Sequence, residues 1–374
     1  MIAGTSWQYA NAIAERPDMS DQSDMKTVLM CCSDLDYKGG MVSVVKNYLS
    51  YEGWGNFDIR FVPTHVTGGK TKVALHFALV YPKLVQMFSR HKIDLVHLHV
   101  AERGSFYRKA LIARAAKKRD IPVVFHHHAA EFMLFYSGLD SHAKDFVRET
   151  IELVDVNIVL SEAIRCEMAA AFPDARFEVL VNAVSSLSEN PYSIGSRNIV
   201  FMGRLGDRKG TFVLLDAFSA ALPQIGDDWR LLLCGDGDIE RAETAIAEKG
   251  LGDRAQCLGW VSGEDKDGIL RTAGINVLPS YNEGLPMSIL EAMSYGVPTV
   301  STRIAAIPEV IDSGQNGLLI DPGDVKALSA DIVELCNNQK NRLAISREAF
   351  ATIAGKFSFE TNIGKLKELY RTLC

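Results

Sequence analysis

Short apolar runs alternate along the chain with longer stretches whose apolar positions recur at helical spacing. TVLMCC at 27–32 reads as a buried strand, followed by a glycine-containing loop and a helix near 41–50. Further strands are predicted at 58–62, 94–99 (DLVHLH), 122–127 (PVVFHH), 155–161 and 177–182 (FEVLVN), with helices at 73–91, 105–118, 143–153 and 163–171 between them. The polar stretch 185–197, SSLSENPYSIGSR, with Pro191 and Gly195, reads as a linker. The alternation then restarts, with strands at 198–203, 230–235, 255–258, 274–279, 298–302 and 317–320. Helices are predicted there at 211–222, 240–249, 265–272, 286–295, 325–337 and 341–353, and a last one over 358–373. Strands that alternate with helices imply right-handed crossovers and parallel sheets covered on both faces. The expected fold class is therefore α/β: two doubly wound, Rossmann-like parallel-sheet domains, 26–184 and 198–357, facing a central cleft lined by the carboxyl ends of their strands. No repeat of 20–50 residues suggests a solenoid.

Composition narrows this picture. A length of 374 residues suits two domains, and 47% hydrophobic with 23% charged residues is a globular balance. No apolar run approaches the roughly 18 residues of a membrane span; the best candidate, 73–81, stops at Pro82 and Lys83. A formal charge of −6 excludes a generally basic nucleic-acid binder. The seven cysteines, 31, 32, 166, 234, 257, 336 and 374, form no C-x-x-C pair, so neither a disulfide framework nor a zinc ribbon fits. Reduced thiols and a cytoplasmic protein are expected. Residues 1–25, with Glu15, Asp18, Asp21 and Asp24, lack a signal-peptide pattern and read as a disordered tail. Charge is uneven: 60–119 holds thirteen Lys and Arg against Asp94 and Glu102, a net of +11. Such a patch suits an anionic membrane surface, at about 1 kcal/mol per basic residue, although a solvated helix face explains it too. It lacks the interleaved aromatics of a base-stacking groove.

The chemistry concentrates in a few places. In YNEGLPMSILEAMSYGVP (281–298), seven residues separate Glu283 from Glu291, Gly284 permits close backbone approach, and Pro286 fits the start of a helix. Free amides there plus the helix dipole favour an anion, and a carboxylate can accept two hydroxyl hydrogen bonds in one plane. A capped helix with Glu291 on a solvent face explains the same letters equally well. GRLGDRKG (203–210) sets Arg204 and Lys209 in a glycine-containing loop after a strand, where two fixed cations would neutralise a diphosphate. Gly39, Gly40 and Met41 open a helix after the first strand, a weak anion signal by itself. Asp34 and Asp36 form a D-x-D of a kind common by chance. In VVFHHHAAEF (123–132), His126 and His128 could imitate a metal pair, but no cysteine or carboxylate has ligand spacing, so no metal is expected. Arg103, Ser105, Arg108 and Lys109 gather where a strand meets a helix, comfortable for a phosphate and equally explained as capping charges. Gly235-Asp236-Gly237 ends a strand without completing G-x-G-x-x-G, which argues against a dinucleotide dehydrogenase.

These motifs, in this order from Lys26 to the C-terminus, resemble those of the retaining GT-B glycosyltransferases of group 1 type, the large family of bacterial capsule, exopolysaccharide and lipopolysaccharide transferases. The resemblance implies that Glu283 touches donor-sugar hydroxyls and Glu291 the nucleotide ribose. It sets Gly284, Leu285, Pro286 and Met287 near sugar and phosphates, and Arg204 and Lys209 on the diphosphate. Gly39 and Gly40 lie over the phosphates, Gly235 in the family's G-x-G turn, and Val261, in Gly259-Trp260-Val261, in the loop that reads the base. The histidine run resembles H-x-H-G-x-E-F, with His128 near the reacting carbon, Ala129 in place of Gly, and Glu131 toward the acceptor. Asn182 matches the Asn of N-G-V, here N-A-V. Met41, Arg103, Ser105, Arg108 and Lys109 would serve an acceptor, and similar transferases use polyprenyl diphosphate-linked ones. The final helix, within 358–374, would cross back onto the first domain and couple the two during closure.

The implied reaction is retaining transfer of a hexose-type sugar from a nucleotide-diphosphate sugar to a glycan or lipid-linked acceptor in cell-surface polysaccharide synthesis. UDP is favoured over GDP on family frequency, with no metal cofactor and no nucleic-acid partner. The protein would be cytoplasmic, peripheral on the inner face of the cell membrane through 60–119. A sugar-nucleotide epimerase on the same fold and a non-catalytic partner subunit are the alternatives. A glycosidase using Glu283 and Glu291 would leave the glycine loops and the cation pair unexplained.

Overall fold

The computed structural model describes residues 24–90, 93–129 and 131–374; the tail expected over 1–25 falls outside them up to residue 23. These residues form two compact units, one running to Asn182 and resuming at Asn362–Cys374, the other Ala183–Thr361.

The first unit holds β1 (Lys26–Cys32), α1 (Gly40–Ser50), β2 (Phe57–Pro63), α2 (Lys70–Arg90), β3 (Leu95–Val100), α3 (Gly104–Lys117) and β4 (Val123–His127). Then come α4 (Phe132–Ser137), α5 (Ser141–Leu153), β5 (Val156–Val159), α6 (Glu162–Ala171) and β6 (Phe177–Val179). Every residue of β3 and β4 is buried, as strands covered on both faces must be. Local chemistry sets the helix starts: Asp140 accepts a hydrogen bond from the Ala143 amide and Ser161 from the Ile164 amide, which satisfies otherwise unpaired donors. The short α4 was not expected from the periodicity, which is too brief to register. The strands are parallel, in the order β2-β1-β3-β4-β5-β6. Strand order reverses between β1 and β3, so the loops after these two strands part, and a ligand crevice is expected there.

The second unit contains β7 (Asn198–Met202), α7 (Thr211–Ala221), β8 (Arg230–Cys234), α8 (Ile239–Glu248), β9 (Ala255–Gly259), α9 (Gly263–Thr272) and β10 (Ala273–Leu278). It continues through α10 (Met287–Ser294), β11 (Thr299–Thr302), α11 (Ile307–Val310), β12 (Leu318–Ile320), α12 (Val325–Asn337) and α13 (Gln339–Lys356). The sheet order β12-β11-β10-β7-β8-β9 reverses between β7 and β10, so the loops 203–210 and 279–286 flank the switch point. The stretch read as a linker, 185–197, belongs to this unit instead. The Asn190 amide donates to the Ser346 carbonyl at 3.3 Å, the Tyr192 hydroxyl donates to the Gly274 carbonyl at 2.9 Å, and the Tyr192 ring packs on a buried cluster. Polar composition concealed this because its hydrogen-bonding partners lie far along the chain. The last helix, α14 (Phe359–Arg371), belongs to the first unit from Asn362 onward.

Candidate active site

The loop after β7 is pressed against the end of β10. Gly210 has φ 71°, and a Cβ there would lie 2.1 Å from the Pro279 carbonyl oxygen, so no other residue fits without moving the backbone. That approach brings Lys209 to Glu283. The Lys209 ammonium donates to Glu283 Oε1, and the Ser280 hydroxyl donates to the same oxygen at 2.7 Å. Glu283 is buried, so these partners replace the water its carboxylate has lost. Arg204, in the same loop, is exposed and has no ion-pair partner among the described residues. Gly235 serves packing: its Cβ would meet the Gly203 carbonyl oxygen at 1.8 Å, which locks the turn after β8 against this loop through Leu205 N–H donating to the Asp236 carbonyl at 2.6 Å.

Pro286 precedes α10, whose first amides have no earlier turn to pair with. Leu285 and Met287 are buried, so toward a ligand they offer backbone rather than side chain; Gly284 is half-buried. Glu291 lies farther along α10, and its Oε1 accepts from Lys266 Nζ of α9 at 2.8 Å. The two glutamates thus have different cations. Val261 is half-buried against the cluster around Val200 and Cys234. Sequence reasoning missed Ser280 and Lys266. Ser280 carries no signal beyond being three residues from Glu283, and Lys266 meets Glu291 only through the packing of α9.

In the first unit, residues of one parity along a strand share a face. His97 and His99 on β3 therefore lie beside His126 on β4 and His128 just after it, with His99 and His126 in register. Ring centroids are 4.5 Å apart for His97–His99, 5.2 Å for His99–His126 and 4.2 Å for His126–His128. His99 Nδ1 is 2.8 Å from His128 Nε2, and His97 bonds the Tyr370 hydroxyl of α14. Burial pulls His97 and His128 down to about 3 and His99 and His126 well below the usual imidazole value, so the stack is uncharged at neutral pH. His127 faces the other side, with Nε2 at 3.0 Å from Asn157 Oδ1. The matching H-x-H pairs at 97–99 and 126–128 were the available sequence signal for this stack. Nitrogens of His97, His99 and His126 lie within 4.8 Å of one another, yet the His97 and His99 rings are only 7° from parallel. Lone pairs in those parallel planes do not converge on one point.

The loops after β1 and β3 carry the remaining candidates. Gly39 precedes α1, Gly40 opens it and Met41 is half-buried. Arg103 is exposed and holds φ 58°, a conformation uncommon for a residue with a side chain, immediately before α3. The Ser105 hydroxyl accepts from the Ala101 amide at 3.2 Å and from Lys109 Nζ at 3.4 Å. Lys109, expected to meet an acceptor, is completely buried instead, with its ammonium beneath Ser105; burial pulls it down to about 8. Helical spacing turns it inward while Arg108 remains half-buried. Glu131 immediately precedes α4. Asp34 Oδ1 accepts from the Asp36 amide at 2.9 Å, so that D-x-D forms a local turn.

Comparison with known proteins agrees with this fold. Residues 196–338 match the family model for Glycosyl transferases group 1, and residues 39–186 match that for Glycosyltransferase Family 4. An uncharacterised glycosyltransferase of Methanocaldococcus jannaschii is 25% identical over 285 residues, 75% of this chain and 76% of that protein. The amylovoran biosynthesis glycosyltransferase AmsK of Erwinia amylovora is 31% identical over 182 residues, 47% of this chain; the chain spans only 44% of that relative's length. Among solved structures, Anabaena HepE in complex with UDP superposes with a TM-score of 0.72 at 18% identity, covering 93% of this chain and all of that one. The fold is GT-B, and the two family models that match successive parts of the chain are both models of glycosyltransferases.

Proposed function

We propose that the protein is a retaining glycosyltransferase that moves a hexose-type sugar from a nucleotide-diphosphate donor, UDP-linked, to a glycan or lipid-linked acceptor in cell-surface polysaccharide synthesis. The observation that carries this reading is the Lys209–Glu283–Ser280 cluster at the switch point of the second sheet, with Arg204 in the same loop as Lys209. A leaving diphosphate gains charge in the transition state, so cations already in place stabilise that state more than the bound donor. In this reading Arg204 and Lys209 take the role a metal ion would otherwise fill. Glu283 holds the sugar hydroxyls, Glu291 the ribose, and the amides of 284–287 the sugar and phosphates. Gly39 and Gly40 approach the phosphates and Val261 the base, while His128 offers an uncharged imidazole near the reacting carbon. The acceptor hydroxyl attacks from the face the diphosphate leaves, and a diphosphate oxygen takes its proton, so no protein nucleophile is needed. HepE, an 18% identical fold relative, was solved with UDP, which supports the choice of base.

No helix among the described residues is long and apolar enough to cross a membrane, and the +11 segment 60–119 supports a peripheral site at an anionic bilayer. The decisive experiment titrates the protein with UDP- and GDP-linked hexoses, then determines the anomeric configuration of the transferred sugar by NMR. A UDP-sugar should bind and transfer with its anomeric configuration kept. Inverted product, or epimerised donor in the absence of acceptor, would replace this reading by another.

A further inference from the structure

Between α2 and α3 of the first unit lies a cavity of about 630 Å³, the size of a site for a small organic ligand. Both helices follow parallel strands and so run the same way, with their starts at the carboxyl edge of the sheet. Lys70 and Ser105 line the cavity from the first turns of the two helices, and His65 and Arg108 stand with them. About two turns further on, the lining is Phe77 and Ala78 from α2 and Leu111 from α3. The cavity therefore has a cationic pole and an apolar run.

At the pole, His65 Nδ1 and Arg108 Nε are both buried and unpaired among the described residues, a costly state unless a ligand supplies acceptors. Behind them the Lys109 ammonium has, among the described residues, a single hydrogen bond, of 3.4 Å to Ser105. Along the apolar run, Tyr107 (36%) and Leu111 (43%) stay exposed where they line the cavity, beside the half-buried Phe77. A bare anion would satisfy the pole and leave the apolar run in water. A neutral lipid would do the reverse.

We propose that this groove holds a single-chain amphiphile, with a phosphate or diphosphate ester head at His65, Lys70, Ser105 and Arg108 and its hydrocarbon chain lying between α2 and α3. The inference deepens the acceptor half of the function proposed above by giving the lipid a place, but its test needs no sugar donor.

The full chain is titrated by calorimetry with farnesyl diphosphate below its micelle concentration, with pyrophosphate and with farnesol. Farnesyl diphosphate should bind at least tenfold more tightly than either of the others. Ala78→Trp, at an exposed position where the larger ring is tolerated, should weaken farnesyl diphosphate about tenfold and leave pyrophosphate unchanged. Arg108→Gln should weaken both phosphorylated probes, with thermal melting confirming that each variant folds. Equal affinities for farnesyl diphosphate and pyrophosphate would overturn the chain's place. Farnesol as tight as its diphosphate would overturn the head's place, and an unaffected Ala78→Trp would move the ligand elsewhere. Failure of sugar transfer together with the expected binding pattern would instead sink only the donor reading.

Discussion

Glu283 is a carboxylate only 7% exposed, and its pairing with Lys209 makes those two residues inseparable in any mutational test. Lys209→Met should lower kcat by about 10²–10³, the scale of losing one preorganised electrostatic donor. It should also destabilise the second unit by about 3–5 kcal/mol, because a buried charge then lacks its partner. The double variant Lys209→Met/Glu283→Gln should recover most of that stability and none of the turnover, which urea unfolding and initial rates would show. Arg204→Ala separates the two effects: an exposed side chain should change stability by less than about 0.5 kcal/mol while kcat still falls about 10²–10³. Near-normal turnover in that variant would remove Arg204 from the diphosphate site. The histidine stack gives a pH prediction. The unfolded chain takes up protons as pH falls through about 6.5, whereas the folded stack stays neutral down to about 3 at His97 and His128. Between those values the unfolded state binds more protons, so stability falls with pH, by up to about 1.4 kcal/mol per histidine per pH unit. The urea midpoint should drop steeply between pH 7.5 and 5; a flat midpoint would mean that the imidazoles are charged or exposed.

Among the elements, α2 shows most clearly how sequence and structure divide the information. Its period was readable, and it continues through Pro82, which lies on the exposed side. Which apolar residues remain uncovered was not readable: Leu84 and Phe88 are buried in the core while Leu75 and Leu79 stay in water. Beside Lys72 and Lys83, those leucines form an apolar and basic surface suited to a bilayer. Leu75→Ser/Leu79→Ser should reduce cosedimentation with anionic vesicles several-fold without affecting the melting temperature. Unchanged sedimentation would assign the basic surface to solvent. Helix α10 gives the complementary case. Its start at Glu283–Met287 stood out in the letters, but the partners that hold its two glutamates, Ser280 with Lys209 and Lys266, are fixed by neighbouring elements.

At the scale of the whole molecule, the first unit is not complete until the end of the chain. Tyr370 of α14 is fully buried, packs against Trp54 and Phe57 and bonds His97, while Asn362 accepts from the Tyr48 hydroxyl at 3.0 Å. Tyr370→Ala should cost about 3–5 kcal/mol, and Tyr370→Phe about 1–3 kcal/mol for leaving His97 Nδ1 buried and unpaired. Denaturant unfolding followed at the first unit would check both, and a Tyr370→Phe variant as stable as the parent would show that the hydroxyl contributes nothing. The alternation of strands and helices and the two-domain α/β plan were determined by the sequence alone, because apolar periodicity is a local property. Packing decided the rest: that 185–197 is a bound strap, that Lys109 turns inward, that four histidines share one stack, and that α2 and α3 leave a groove. Each of these depends on which distant element lies alongside, and that is set only when strand order and register bring remote residues into contact.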